Sequence, residues 1–326
     1  MKPKLIKTLD EVQEHVAVSM TSAINVINPY LYSAERTYIK DLIGSEQFTA
    51  LVEAYAEMTD PDAELTVIPE GVKLAQRVIS NLGYLIGVPI LSVSIGSGGI
   101  QINSSENTKN AFQWQTEDVK DSLQELGFTA LEEFLAHLEE HPDEFEQYHE
   151  SAEYLAQKST LIRSASDFTR YYDINGSRYI FQRILSIITR VESQTMVRVL
   201  GADFYESLKA DGLTGKKKIL VDQYLKPGLA LLSVSKALVE RIVTLEGGKV
   251  AFNFRGNYNN IKESMPASRD QLKEIREQLD NDGNNFISTG MEYLSANPQD
   301  FEDFAPPVGR RRAKFNNDPD KGIFGV

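Results

Sequence analysis

Apolar residues three and four apart, interrupted by short polar or glycine-bearing intervals, run through most of this chain and predict a mainly helical protein. Thr8, with Glu11 three residues on, has the pattern of a capping box and opens a short helix over 9–16. Ile24, Ile27, Leu31, Ala34, Tyr38 and Leu42 then mark one face of a helix over 24–43, ended by Gly44. A third helix covers 47–58, and the Asp- and Pro-rich interval 59–69 reads as a loop. An apolar helix follows from Pro69 to Leu85, ended by Gly87 and Pro89. There the period changes: residues 91–95 alternate, Gly96-Ser97-Gly98-Gly99 turns, and 100–102 alternate again, which reads as a β-hairpin. Two amphipathic helices, 114–126 and 130–140, complete the pattern.

The whole pattern then occurs a second time. Leu5-Ile6-Lys7-Thr8, Glu11-Val12, His15 and Val18 return 156 residues on as Leu161-Ile162-Arg163-Ser164, Asp167-Phe168, Tyr171 and Ile174. Ala34-Glu35, Gly44, Glu46 and Leu51 return at an offset of 157 as Val191-Glu192, Gly201, Asp203 and Leu208. Pro142, Glu144-Phe145-Glu146 and Tyr148 return at 156 as Pro298, Asp300-Phe301-Glu302 and Phe304. A period of that length is a domain, not a solenoid repeat. The second copy offers 225–239 as its apolar helix, Ile242 to Phe252 around Gly247-Gly248 as its hairpin, and 271–279 with 286–294 as its closing helices. The expected fold is therefore mainly α: two tandem homologous helical domains, each with one short β-hairpin, plus an extended C-terminal tail. The boundaries expected are 1–152, 153–305 and a flexible tail over 306–326. Leu42 and Val199 are expected at equivalent buried positions, with Gly44 and Gly201 at equivalent helix ends.

With 326 residues, 41% of them hydrophobic, the chain can build two ordinary cores. The absence of cysteine excludes disulfides and thiolate metal sites. No apolar run of signal-peptide length follows the first lysines, and no stretch of about 18 apolar residues occurs, so a soluble protein that is not secreted by a signal peptide is expected. The net charge of −13 is unevenly held. Residues 1–152 carry 9 Lys+Arg against 25 Asp+Glu (net −16), residues 153–305 carry 20 of each, and residues 306–326 carry five basic against two acidic (net +3). This difference reads either as drift on solvated faces or as two copies that kept a fold and acquired different neighbours. An acidic first copy also argues against sequence-nonspecific duplex binding, which needs Lys/Arg clusters.

The duplication tests every chemical motif, because chemistry that belongs to the fold recurs in both copies. His137-Leu138-Glu139-Glu140-His141 fits H-x-x-E-H, in which two histidines one helical turn apart hold zinc. Tyr293 and Asn297 stand at those positions in the second copy, and Pro142 ends the helix at once. Gly96-Ser97-Gly98-Gly99 lacks the following helix and lysine of a phosphate loop, and the second copy keeps only Gly247-Gly248. Lys216-Lys217-Lys218, in a predicted loop, and Arg310-Arg311-Arg312 are short and lack interleaved aromatics, so they read as solvated or protein-docking clusters. All four histidines lie in the first copy, and no Ser/His/Asp or Cys/His arrangement is available. No catalytic residue, metal or cofactor is expected. The aromatic residues Tyr30, Tyr32, Tyr38, Phe48 and Tyr55 read as core. In the tail, Ala305 to Gly309 form a linker, followed by the basic cluster, the turn residues Asn316 to Pro319 and an apolar end. The residues expected to bind a partner are Arg310, Arg311, Arg312, Lys314, Ile323, Phe324 and Val326.

The segment Thr8-Leu9-Asp10-Glu11-Val12-Gln13-Glu14-His15-Val16 resembles the opening of head-tail connector (adaptor) proteins of tailed phages. Ser33 to Gly44 looks like the helix that follows in those proteins, and Arg241 to Val250 is similar to their hairpin. Residues 66–140, and Ala111-Phe112-Gln113-Trp114 above all, also resemble a prophage-borne family of unknown function. Connectors usually carry one domain per chain, whereas this chain has two and a long tail. The resemblance implies a non-enzymatic structural protein of a virion or prophage, located in the virion or host cytoplasm. It implies a neck adaptor that forms a ring with itself, docks on the portal or another neck or tail protein, and passes DNA through its lumen without specific binding or membrane contact. An acidic lining suits a channel through which DNA slides. The alternatives are a non-enzymatic interaction module of a mobile element or secretion-type particle, and an enzyme of unrecognised type. The basic and apolar tail of one subunit is expected to reach the acidic first copy of the next, with the portal as the competing target.

Overall fold

In the computed structural model the described residues are 2–17, 23–58, 66–91, 93–96, 99–102, 112–243 and 269–305. The chain divides into two compact units, Met1–Ser186 and Ile187–Val326.

The first unit begins with a buried segment. Leu5 and Ile6 have almost no exposed surface, and the chain beside them is held by hydrogen bonds to side chains from two helices further on. Thr8 closes the capping box of α1 (Leu9–Gln13): its backbone N–H donates to Glu11 Oε2 at 2.8 Å and its hydroxyl accepts from the Glu11 N–H at 3.4 Å. The predicted long helix is α2 (Ile24–Ala34), a π-turn over Glu35–Lys40, and α3 (Asp41–Ile43) in one continuous run. Gly44 then bends the chain into α4 (Ser45–Glu57) with φ +86° and ψ 161°.

The centre of this unit is α5 (Val67–Leu91), with α6 (Gln113–Glu140) running back along it. Arg77 pairs with Glu133 at 2.6 Å, and further along a Cβ on Gly127 would collide with the side chain of Leu82. The core between them and α2–α4 is Leu31, Ile39, Ile43, Leu51, Val72, Ile79, Leu82, Leu131, Phe134, Leu138, Phe145 and Tyr148. Between α5 and α6, β1 (Val93–Gly96) and β2 (Gly99–Ile102) pair antiparallel, Val93 opposite Ile102 and Gly96 opposite Gly99. After α6 come α7 (Glu146–His149), α8 (Ala152–Lys158), α9 (Ala165–Thr169), capped by the Ser164 hydroxyl, and α10 (Arg178–Val191), within which the division between units falls.

The second unit repeats the order. A π-turn over Glu192–Met196 leads into α11 (Val197–Leu200), Gly201 bends the chain with φ +84° and ψ 151°, and α12 (Ala202–Ser207) follows. Next, α13 (Gly215–Leu220) runs through a π-turn over Val221–Leu225 into α14 (Lys226–Val243), which packs on α15 (Arg269–Ala296). A short 3₁₀ turn at Pro298–Asp300 stands where the turn over residues 142–144, just before α7, stands in the first copy. The two closing helices α6 and α15 are each 28 residues long and start 156 residues apart.

Packing extends the first compact unit past the expected copy boundary at residue 152 to Ser186, with Tyr179 against Tyr38 and Phe128 at ring-centroid distances of 6.0 and 5.4 Å. Several other expectations are corrected. Gly87 and Pro89 do not end α5, which continues to Leu91; Gly87 faces the Tyr30 ring instead, with only 3.0 Å available to a Cβ. The expected pairs 114–126/130–140 and 271–279/286–294 are single helices, because Gly127 and Gly283 are close-packing positions and not breaks. Ile242 and Val243 end α14 instead of starting a strand, and the rest of that expected hairpin lies outside the described residues. Val199 is only half-buried, while its neighbour Leu200, counterpart of Ile43, is 1% exposed. By length and mean hydropathy α5 could cross a bilayer, but half of its most apolar window is buried inside the first unit.

Candidate functional site

The two most deeply buried acids among the described residues occupy equivalent positions in the two copies, and the first of them holds backbone. Each π-turn that follows α2 or α10 starts with a glutamate, Glu35 or Glu192, exposed by only 3% and 4%. The Glu35 carboxylate accepts the N–H groups of Lys4 at 2.7 Å and Leu5 at 2.9 Å, and Gln76 Nε2 donates to the Leu5 carbonyl at 2.7 Å. These bonds fix the N-terminal segment between α2 and α5. Burial pushes the Glu35 carboxyl above its ordinary value, against the pull of those two N–H donors. In the second copy Glu192 lies 3.6 Å from Lys209 Nζ, and burial followed by the charge of Glu192 pushes the Tyr205 phenol up. Glu132, on α6, receives the N–H groups of Arg178 at 2.7 Å and Tyr179 at 3.1 Å, so its charge sits at the N-terminus of α10. Arg178 Nε reaches Glu139 at 2.7 Å beside it.

The histidines of the H-x-x-E-H pattern are spent in the same way. His137 Nε2 donates to the Val67 carbonyl at 2.7 Å, His141 Nδ1 to the His137 carbonyl at 2.9 Å, and His149 Nε2 to the Leu138 carbonyl at 3.0 Å. Among the described residues no three His, Cys, Asp or Glu side chains converge as metal ligands do. Gly96 and Gly99 face each other across the hairpin, and Ser97 and Gly98 lie outside the described residues. The Lys216–Lys218 triad is not in a loop but in the first turns of α13. There Lys216 Nζ reaches Asn297 at 2.7 Å and Asp300 at 2.8 Å, and Lys217 Nζ reaches Asp303 at 2.7 Å, which pins the closing segment of the second unit.

The chemistry left over is on the surface. From Gln113 to Leu126 the described side chains of α6 are exposed or half-buried, with Leu123 alone buried. Trp114, Asp118, Asp121 and Glu125, spaced four, three and four apart, form one exposed face opposite Leu123. Trp114 and Phe112 are 60% and 68% exposed and stack on each other, with centroids 6.5 Å apart and planes 7° from parallel. Val119 and Leu126 are also exposed. The same half of α15 leaves Ile275 exposed, and further along the helix a shallow groove of about 270 Å³ opens between Tyr224, Leu231, Asp282, Asn285, Phe286 and Thr289. The first half of α6 therefore combines an exposed aromatic pair with a row of carboxylates on one side of the helix.

The helical spacing of Trp114 among Asp118, Asp121 and Glu125 is legible in the sequence, but which side of that helix faces solvent is not. The residues expected to bind a partner, Arg310, Arg311, Arg312, Lys314, Ile323, Phe324 and Val326, lie outside the described residues.

A family model described as a family of unknown function (DUF6712) matches twice, over residues 39–157 and 196–314, with both ends shifted by 157. No curated protein and no solved structure matches. The second match runs through Arg310–Lys314, whose counterparts at that offset are Glu153–Gln157 on α8; Glu153 and Leu155, opposite Arg310 and Arg312, are exposed.

Proposed function

This chain belongs to DUF6712, a family of unknown function, in two tandem copies, and on that premise we propose that it is a non-enzymatic assembly protein, a duplicated neck adaptor of a phage or prophage particle. The observation that carries the reading is the surface of the paired helices. In the first copy the first half of a 28-residue helix presents Trp114, Val119 and Leu126 to solvent next to the stacked Phe112, whereas among the described residues the same half of the helix in the second copy exposes Ile275 alone. The exposed aromatic pair with its apolar neighbours supports a macromolecular partner for the first copy. The buried acids, by contrast, are occupied in fixing the chain.

On this reading the partners are further copies of the chain and the portal or another neck or tail protein, in the virion or the host cytoplasm. The resemblance of residues 8–16 and 33–44 to connector proteins supplies the phage setting, and the net charge of −16 in residues 1–152 suits a lumen that lets DNA pass. Sedimentation velocity of the purified chain tests it, with electron microscopy of the fastest species. A closed ring of many copies is the expected result, and a monomer at every concentration is the contrary one. A small open oligomer would favour the alternative, an interaction module outside a neck.

A further inference from the structure

The chain has two basic triads. Lys216 and Lys217 of the first are held by Asn297, Asp300 and Asp303 within the second unit. The second, Arg310-Arg311-Arg312 followed by Lys314, belongs to the 21 residues after Ala305, together with Phe315, Ile323, Phe324 and Val326. Fully extended, a segment of that length spans roughly 70 Å, against about 42 Å for the whole of α6.

The exposed half of α6 has the complementary chemistry. A guanidinium is planar and cationic: it can lie on an indole face while its N–H groups reach carboxylates beside the ring. The stacked Phe112 and Trp114 offer that face, and Asp118, Asp121 and Glu125 lie along the same side of the helix. Val119, 51% exposed at the edge, offers apolar contact. The second copy does not reproduce this arrangement. The positions 156 residues on are Asp270, Glu274, Glu277 and Asn281, with no aromatic residue. Lys273, where α6 has Glu117, already lies 3.7 Å from Glu277.

We propose that residues 310–326 of one copy of this chain dock on the exposed N-terminal half of α6 of another, with arginines on the Phe112–Trp114 stack and its carboxylates. The proposal names the self-contact of the assembly proposed above and rests on it. Such a contact joins different surfaces of successive copies, so it either closes into a ring or continues as a filament.

Trp114 is the sole tryptophan, which makes its emission a direct report on the contact. The test uses full-length chains, with sedimentation velocity and tryptophan emission followed against concentration and the fold checked by circular dichroism. One variant carries R310E, R311E and R312E; the other carries D118K, D121K and E125K. Each alone should associate roughly tenfold more weakly than the parent, since single exposed ion pairs contribute little and three together contribute enough to read. An equimolar mixture should recover association, because the reversed tail of one then meets the reversed helix of the other. Recovery on mixing also places the contact between chains. A full-length W114A chain, with all charges kept, should associate more weakly as well. Variants that associate like the parent, a mixture as weak as its folded components, or an emission shift without any change in sedimentation would each overturn the proposal. If the parent and all variants assemble alike, the tail contact is wrong and the assembly reading stands; if the parent never assembles, both fall.

Discussion

Gly44 and Gly201 occupy the same bend in the two copies, at φ +86° and +84° with ψ 161° and 151°, a region that is essentially closed to residues with a side chain. Their surroundings differ. A Cβ on Gly44 would meet Glu153 Oε2 at 3.0 Å and Ser151 Cβ at 3.2 Å, whereas the nearest atom to one on Gly201 is the Ala305 carbonyl oxygen at 4.0 Å. Gly201→Ala should therefore cost backbone strain alone, about 1–3 kcal/mol, and Gly44→Ala should cost that plus crowding. Urea midpoints should fall in that order, and equal midpoints would show that the crowding is relieved. Glu11 and Glu35 make a second contrast. Burial pushes the Glu11 carboxyl up, but hydrogen bonds from the Tyr55 hydroxyl and from Thr8 and Lys7 outweigh it and hold the group below its ordinary 4.5. Its contribution is complete above 4.5 and is lost as pH falls through the lower folded value. Glu35 is raised, so ionising it in the folded protein costs stability, and its contribution declines as pH rises from 4.5 through the folded value. From acid to neutral pH the stability gap between the parent and Glu11→Gln should widen, and the gap to Glu35→Gln should narrow. Parallel pH profiles would contradict the assigned environments. The Thr8–Glu11 box was legible because a capping box is local. Glu35 was legible only as a repeated letter, since the carboxylate's partners lie some thirty residues back along the chain.

At the scale of elements, glycines within the helices are where helices touch, including Gly127 and Gly283, which fall in the breaks expected from the sequence. Within α5, Gly83 admits the backbone of α2: a Cβ there would lie 3.0 Å from Leu31 Cα and 3.2 Å from its nitrogen. Gly228 and Gly283 face each other between α14 and α15, where a Cβ on Gly228 would lie 3.0 Å from the Gly283 oxygen. The Gly127 contacts, at 2.4 and 2.7 Å, are with the Leu82 side chain, which can change rotamer. Alanine gains about 1 kcal/mol of helix propensity at each site. Overpacking against fixed backbone exceeds that gain, so Gly83→Ala and Gly228→Ala should lose on the order of 1–2 kcal/mol, and Gly127→Ala less. Denaturation curves for the three variants decide this; stabilisation by all three would mean that the glycines are not contact residues. Periodicity located these helices but misjudged their ends, because a glycine that stops a helix and one that admits a neighbour are the same letter.

At the scale of the molecule, the repeat in the sequence and the division in space do not coincide. Residues 153–186 begin the second copy by homology but belong to the first compact unit, through Tyr179 on Tyr38 and Phe128 and through Glu132 and Glu139 on the start of α10. A fragment 1–186 should therefore unfold at a higher temperature than a fragment 1–152, which ends before all of these contacts. Equal melting temperatures would show that this segment contributes nothing to the first unit. The uneven charge is a property of the same scale, with −16 in residues 1–152 and +3 in residues 306–326, and on the proposed assembly it would favour contacts between these unlike segments.

The sequence alone determined the helical class, the duplication and its period, the capping residues and the two bend glycines. Each of these is written locally, in the spacing of apolar residues or in a residue type that only one backbone geometry suits, and the period needs only comparison of the chain with itself. Tertiary structure decided which repeated residues are buried, where the first unit ends, which glycines are contacts, and that Lys216, Lys217, His137, His141 and His149 are occupied inside their own units. Those outcomes depend on distant segments meeting: Gln76 reaches Leu5, His137 reaches Val67, and Lys216 reaches Asp300. No local spacing encodes such meetings; likewise the spacing of Trp114 among carboxylates is written in the sequence, but that this side of α6 faces solvent is decided by the burial of Leu123 on the opposite one.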